Sequence, residues 1–78
     1  MISVPVIDAK GTGERIYELL DRAGMSVKDL QDEMGFTTGN AIYKWFHGKN
    51  IPSLDNLVIL SAVLNVPIDE IIVVRYSA

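Results

Sequence analysis

The sequence predicts an all-α protein, a compact bundle of five helices with apolar, extended ends. Three observations lead to this fold class. Apolar residues recur at helical spacing in five separate segments. Capping residues and glycines stand at the borders of those segments. Only a few residues join the second segment to the third, which predicts a helix-turn-helix within the one small domain that 78 residues can form.

The first helix is predicted over residues 13–23. Thr12 is its candidate N-cap, since a threonine hydroxyl can accept a hydrogen bond from an amide in the first turn. Gly24 is expected to end the helix in the left-handed backbone conformation that glycine adopts without strain. The apolar residues that recur on one side are Ile16, Leu19, Leu20 and Ala23.

The second helix is predicted over residues 27–34. Ser26, followed three residues later by Asp29, has the pattern of a capping box, in which each side chain accepts from the other residue's backbone amide. Gly35 follows the last apolar residue and is expected to end the helix. The inward-facing residues are Val27, Leu30 and Met34.

The third helix is predicted over residues 38–47 and ends at Gly48. Thr37 and Thr38 compete for its N-cap, and the one that does not cap is available to a phosphate or a thymine methyl group. The buried side is expected to consist of Ala41, Ile42, Trp45 and Phe46, and the outward side of Thr38, Asn40, Tyr43, Lys44 and His47.

The fourth and fifth helices are predicted over residues 53–64 and 67–73. Ser53 caps the fourth, and Pro67 opens the fifth, where the fixed proline backbone suits a first turn. One broad face of the fourth helix is expected to be buried, namely Leu54, Leu57, Val58, Leu60, Ser61 and Leu64. On the fifth helix, Ile68, Ile71 and Ile72 face inward.

The two ends of the chain have strand propensity, because residues 2–7 and 71–76 are rich in β-branched side chains. Two interpretations are open. The ends cover the helix bundle, or they pair with each other or across a dimer interface, since exposed apolar edges favour a partner. A homodimer is expected, through these ends or through the fourth and fifth helices, because dimerisation adds stability to so small a core.

The net charge of −3 at pH 7 is unusual for a nucleic-acid-binding domain, which is commonly basic. The distribution of charge matters more than the sum. Residues 35–50 contain Lys44 and Lys49 and no carboxylate, and they form a positive block in an otherwise acidic chain. Such a chain can still bind DNA, with a smaller non-specific contribution to affinity.

The composition excludes several kinds of site. The chain has no cysteine and a single histidine, His47, so neither a disulfide nor a metal site is expected. No glycine-rich phosphate loop follows a strand and no nucleophile stands with a base, so no cofactor and no enzymatic activity are predicted. Without a long apolar run or a basic leader, the chain is expected to be a soluble cytoplasmic protein that does not enter a membrane.

Several motifs follow one another in a fixed order. They are residues 26–35, Ile42-Tyr43-Lys44-Trp45, Gly48-Lys49, Pro52-Ser53 and the apolar positions between Leu57 and Ile71. Together they resemble the lambda-repressor/Cro-like (XRE) helix-turn-helix family. The resemblance implies a DNA-binding domain over residues 11–74, with an N-terminal arm over 1–10 and a C-terminal tail over 75–78. It also implies a lambda-repressor-like bundle whose third helix enters the major groove of double-stranded DNA, and dimers that bind palindromic operators.

The resemblance assigns roles to individual residues. Gly35 matches the turn glycine, and Phe36 matches the apolar turn residue. Ile42 and Trp45 match core positions of the recognition helix. Gly48-Lys49 matches the loop where backbone amides and a basic side chain meet phosphate. The implied DNA contacts are Lys28, Thr37, Thr38, Asn40, Tyr43, Lys44, Lys49 and Asn50.

A few positions depart from the family pattern. Val27 or Lys28 stands where a glutamine often touches DNA, and Gln31 stands where a small residue is usual. The segment 35–42 is one residue longer than the commonest pattern, and it contains Gly39. These departures concern base recognition rather than the fold.

Each implied contact has a simpler interpretation beside it. Asn40 fits a bidentate contact to adenine, or it bonds local backbone in the first turn. Tyr43 bonds a phosphate, or it shields the edge of the core. Lys44 reaches a base or a phosphate, or it is only solvated. Lys49 and Asn50 fit phosphate contacts, which position a protein but carry no sequence information.

The sequence therefore predicts a sequence-specific DNA-binding transcriptional regulator, expected to be a repressor, that acts as a homodimer. The alternative is a protein-interaction module, an antitoxin-like or antirepressor partner that kept the fold without binding DNA. The positive block and the resemblance favour the first function. The acidic balance and the apolar ends favour the second, which requires a protein partner.

Overall fold

The computed structural model describes residues 3–77 and confirms the predicted bundle of five helices. A short two-stranded sheet joins the two ends of the described chain. In chain order the elements are β1 (Val4–Ile7), α1 (Ala9–Arg22), α2 (Val27–Met34), α3 (Asn40–Phe46), α4 (Leu54–Leu64), α5 (Ile68–Ile71) and β2 (Val74–Ser77).

One hydrophobic core is shared by all five helices. α1 crosses α3, α2 packs against α4, and α4 packs against α5. Burial of apolar side chains is the main stabilising contribution, at about 1.5–3 kcal/mol for each large side chain that is fully buried. The buried apolar residues are Ile16, Leu19, Leu20, Leu30, Met34, Ile42, Trp45, Leu57, Leu60, Leu64 and Ile71.

α1 begins earlier than predicted, and the predicted N-cap at Thr12 was wrong. The helix starts at Ala9, and Asp8 caps it by accepting a hydrogen bond from the Gly11 amide at 2.9 Å. Thr12 is buried inside the helix, where its hydroxyl oxygen accepts from the Val73 amide at 3.0 Å. The glycines at the start of this helix have low helix propensity, which hid its first turn in the sequence.

α2 has the predicted capping box. The Ser26 hydroxyl oxygen accepts from the Asp29 amide at 3.0 Å, and the Asp29 carboxylate accepts from the Ser26 amide at 2.9 Å. The hydrogen bond from the Ser26 backbone, followed by the bond with its side chain, lowers the pKa of Asp29 below its ordinary value of 3.8. Gly35 ends the helix in the left-handed conformation, with φ of 74°, so both borders of α2 are confirmed.

The predicted burial of α4 was wrong in part. Leu57, Leu60 and Leu64 reach the core, whereas Leu54 and Val58 are 72% and 55% exposed. This helix is apolar around most of its circumference, so hydrophobic spacing alone does not identify its inner face. The result is an outward apolar stripe on α4 that the described chain leaves uncovered.

The two ends of the described chain pair with each other, as one of the two interpretations predicted. β1 and β2 are antiparallel, with Val4 opposite Ser77 and Ile7 opposite Val74. The Asp8 amide continues the pairing by donating to the Val73 carbonyl at 2.8 Å. The sheet and the bond from Val73 to α1 therefore fasten the C-terminal segment to the start of the first helix.

Thr12→Val should destabilise this junction by about 1–3 kcal/mol, because valine keeps the shape of threonine but leaves the Val73 amide without its acceptor. The measurement is the free energy of unfolding in urea. Thr12→Ser is the matched control, since it keeps the hydroxyl and should lose less stability. Equal stability of Thr12→Val and the unsubstituted protein would show that this hydrogen bond contributes nothing.

Candidate nucleic-acid interface

The connection between α2 and α3 is fixed by three local interactions. The Phe36 amide donates to the Gln31 carbonyl at 3.0 Å, and the Gln31 side-chain amide donates back to the Phe36 carbonyl at 3.4 Å. The Phe36 ring packs edge-on against Trp45, with centroids 5.9 Å apart. Because Trp45 is buried in the core, this contact fixes the direction in which α3 leaves the turn.

α3 begins at Asn40 rather than at residue 38, and its N-cap is Gly39, which offers no side-chain hydrogen bond. The expectation that a threonine would occupy the N-cap was wrong. The Thr38 hydroxyl instead accepts from the Asn40 amide at 3.3 Å. A side chain at Gly39 would come within 3.3 Å of the Tyr43 ring and 3.4 Å of Val27, so glycine allows close packing of α3 on the start of α2.

An open depression of about 490 Å³ lies along one side of α3. Five of the eight residues predicted to contact DNA line it, namely Thr37, Thr38, Asn40, Lys44 and Asn50. Gly35, Phe36 and Ala41 complete the lining; they were not predicted as contacts, although Gly35 and Phe36 were predicted in the turn. The lining contains one lysine and no carboxylate, so the surface is suited to an anionic partner. We call it the polar depression.

The other three predicted contacts lie outside the polar depression. Tyr43 is on the opposite flank of α3, where its ring packs edge-on against Phe46 at 6.0 Å. Lys28 is exposed on α2 and forms an ion pair with Asp32 at 2.9 Å. Lys49 is exposed in the loop that follows α3. The structure thus separates the eight residues into one cluster and three flanking positions.

The loop after α3 uses its backbone amides internally. The Gly48 amide donates to the Trp45 carbonyl at 3.0 Å, and the Lys49 amide donates to the Lys44 carbonyl at 2.9 Å. The Asn50 amide also points to the Lys44 carbonyl, at 3.4 Å. The resemblance implied that amides in this loop meet phosphate. Because they already have acceptors, the side chains of Lys49 and Asn50 are the groups that this loop can offer.

A helix-turn-helix family model matches residues 16–71, which include the whole segment from α2 to α4. This match covers more than half of the chain and agrees with the geometry of α2, the turn and α3. The chain belongs to the helix-turn-helix family. It is of the XRE type, as the resemblance implied, and α3 is the second helix of its helix-turn-helix.

Solved structures of similar fold include a restriction-modification controller protein and two DNA-binding domains. The restriction-modification controller protein C.AhdI from Aeromonas hydrophila has a TM-score of 0.74 at 25% identity, with 82% of this helix-turn-helix chain and 96% of that one covered. The DNA-binding domain of BldD has a TM-score of 0.72 at 16% identity, with 85% of this chain and 94% of that domain covered. The S. venezulae BldD domain has a TM-score of 0.71 at 16% identity, covering 85% and 97%. No curated protein sequence matches this chain significantly.

The described part of this helix-turn-helix protein shows neither a metal centre nor a membrane-spanning helix. Over residues 3–77, no group of three or more acidic, histidine or cysteine side chains is placed to hold a metal ion. No helix in that range is long and apolar enough to cross a bilayer.

Proposed function

We propose that this protein is a sequence-specific transcriptional regulator that inserts α3 into the major groove. The observation that carries the proposal is the polar depression, where Asn40 and Lys44 stand one turn apart beside the turn threonines. In helix-turn-helix proteins the N-terminal residues of the second helix contact base edges. Asn40 is the first residue of α3 and occupies such a position, and Lys44 follows it one turn later in the same lining.

The proposed contacts divide into two kinds. Asn40 pairs with adenine through its amide, and Lys44 donates to guanine or to a nearby phosphate, since these pairings match side-chain geometry. Thr37, Lys49 and Asn50 hold the phosphate backbone and set the register of the protein on the duplex. The flanking residues Tyr43 and Lys28 add phosphate contacts at the edges. Thr38 adds another, because its hydroxyl can donate to a phosphate while it accepts from the Asn40 amide.

We infer a repressor acting as a homodimer. Occupation of the major groove is sufficient to exclude other proteins from the same DNA, without any further contact. The similarity to C.AhdI, a controller protein, supports a regulatory role. A reporter gene placed behind an operator, obtained by selection from a pool of random duplexes, should lose expression when the protein is present. Increased expression would show an activator instead.

The apolar stripe on α4 is the proposed dimer interface. Leu54 and Val58 are exposed one turn apart, and Ile51 is 40% exposed just before the helix. Exposed apolar residues that line up along one side of a helix ordinarily mark a contact surface. A second copy related by two-fold symmetry would place the same stripe against itself and would match a palindromic operator.

Leu54→Glu combined with Val58→Glu should weaken dimerisation by about tenfold or more, since carboxylates replace apolar side chains at the interface. Sedimentation equilibrium measures the dimer dissociation constant. The control is Val74→Glu with Tyr76→Glu, which places the same charges on the exposed end sheet. A control that disrupts the dimer while the α4 variant does not would move the interface to the ends of the chain.

Selection from a random duplex pool at about 100 mM salt tests DNA recognition directly. A palindromic motif is the expected result, and its spacing gives the distance between half-sites. Lys28, Lys44 and Lys49 can each contact one phosphate, so a dimer neutralises at most six phosphates. Since each contributes about −0.9, the slope of log affinity against log salt should not be steeper than about −5.

A protein-interaction module is the second candidate, favoured by the net charge of −3 and by the exposed apolar stripe. It predicts that a folded, purified protein enriches no DNA motif. Affinity capture on the immobilised protein should then recover a partner whose binding is lost with Leu54→Glu and Val58→Glu. Recovery of a DNA motif would exclude this candidate as the sole function.

A further inference from the structure

A second depression lies between α1 and α3, on the flank of α3 opposite the polar depression. It has a volume of about 390 Å³, within the range of small-molecule sites. Its lining is Glu14, Tyr17, Tyr43, Phe46 and His47. Three of these five residues are aromatic, and we call the site the aromatic depression.

Two of the three rings, those of Tyr17 and Tyr43, each make a T-shaped contact with the third, that of Phe46. Phe46 is half-buried, and the rings of Tyr17 and Tyr43 stand almost perpendicular to it, at 81° and 88°. The centroid distances to Phe46 are 5.3 Å for Tyr17 and 6.0 Å for Tyr43. The two tyrosines are 59% and 51% exposed. At least half of the surface of each tyrosine is therefore not covered by other residues of the described chain and can contact a ligand.

The charge of the aromatic depression is opposite to that of the polar depression. Glu14 is the carboxylate in its lining, and neither lysine nor arginine takes part in it. A carboxylate beside aromatic rings repels phosphate and attracts cations, and ring faces attract cations through their quadrupole. The lining chemistry therefore favours a positively charged group in the aromatic depression.

We propose that the aromatic depression binds a small organic cation of the quaternary ammonium class. A primary ammonium is strongly hydrated and requires several acceptors to replace its water. This lining offers one carboxylate and few other acceptors, whereas its rings match the methyl groups and diffuse charge of an alkylated cation. Binding of this kind to aromatic side chains is a recognised form of cation–π interaction.

The aromatic depression shares only Tyr43 with the proposed DNA contacts. Glu14 and Tyr17 lie on α1 and have no part in the proposed DNA contacts, so variants at these positions separate the two proposals. The test uses the protein alone, without DNA. Failure of one proposal therefore leaves the other unaffected.

The experiment is an NMR titration of the nitrogen-15-labelled protein with tetramethylammonium chloride, near neutral pH. Sodium chloride at the same ionic strength and neopentyl alcohol, a neutral molecule of similar size with a hydroxyl on one methyl group, serve as comparison ligands. Saturable shifts at the amides of Tyr17, Phe46 and His47 are expected with the cation, with a Kd in the millimolar range. Neopentyl alcohol should bind more weakly.

Two variants assign the binding to the lining. Glu14→Gln and Tyr17→Leu should each weaken tetramethylammonium binding by about two- to fivefold, the effect of losing one exposed charge or one ring face. Glu33→Gln, on the exposed surface of α2, removes the same charge elsewhere and should leave Kd unchanged. The spectrum of each variant shows directly whether it is folded.

Three outcomes would overturn the proposal. They are an absence of saturable shifts, equal binding of neopentyl alcohol and the cation, and an equal loss in Glu33→Gln and Glu14→Gln. The second would show a purely apolar cavity, and the third would show attraction to the net charge of the protein.

Discussion

Gly13→Ala is expected to destabilise the protein by about 3 kcal/mol, the upper end of the range for overpacking a core. A Cβ atom at Gly13 would lie 1.8 Å from the carbonyl oxygen of Trp45 and 2.8 Å from its carbonyl carbon. Both are backbone atoms, so no side-chain rotation relieves the clash. α1 and α3 would have to separate, which opens the core around Ile16 and Ile42.

The expected loss of stability in Gly13→Ala is opposite in direction to the usual effect of this substitution in a helix. In an unobstructed helix interior, replacement of glycine by alanine stabilises by about 1 kcal/mol, so Gly13→Ala reverses the usual direction. Urea unfolding followed by circular dichroism measures the difference. Gly24→Ala is the control, because Gly24 has φ of 68° with nothing within 4 Å of an added Cβ. It should lose about 1 kcal/mol from backbone strain alone. A Gly13→Ala variant at least as stable as the unsubstituted protein would contradict the close crossing of α1 and α3.

Lys44→Ala is expected to weaken binding to the selected duplex by about 1–3 kcal/mol, or roughly five- to 150-fold. Lys44 is the charged residue in the lining of the polar depression and lies one turn beyond Asn40. The loss should be largest for the selected sequence if Lys44 contacts a base, and equal for all duplexes if it contacts phosphate. Fluorescence anisotropy at fixed salt, with the selected duplex and a half-site variant, distinguishes the two.

The control for Lys44 is Arg22→Ala. It removes one positive charge from the exposed end of α1, where Arg22 pairs with Glu18. Since exposed pairs of this kind contribute about 0–1 kcal/mol, the fold should be retained, and DNA affinity should change little. Equal losses for the two variants would indicate that total charge, rather than a contact at α3, determines affinity. Unchanged affinity of Lys44→Ala would remove this residue from the interface.

The parts of the fold that the sequence predicted best depend on neighbours along the chain. The capping box of Ser26 and Asp29 joins residues three apart, and Gly35 ends the same helix. Thr12 was misassigned because its hydrogen-bond partner, Val73, is 61 residues away. The buried face of α4 was misassigned in part because eight of its eleven residues are apolar, and only packing decides which side turns inward.

The two candidate sites also differ in whether their residues are close together or far apart along the chain. Five residues of the polar depression were among the DNA contacts predicted from the family resemblance, and Thr37, Asn40 and Lys44 lie close together because they belong to one turn and the helix after it. The aromatic depression was not foreseen. Tyr17 and Phe46 come from helices that are far apart in the sequence, and they meet only because α1 crosses α3.

The antiparallel pairing of β1 with β2 brings the first and last strands of the described chain side by side, with Val4 opposite Ser77. A short peptide linker could therefore join these ends into a circular backbone without bending any helix. Circularisation lowers the conformational entropy of the unfolded chain and leaves the folded geometry unchanged. New ends could then be opened in a surface loop. The order of helices along the chain would change, while the α2–turn–α3 unit and its polar depression would stay intact.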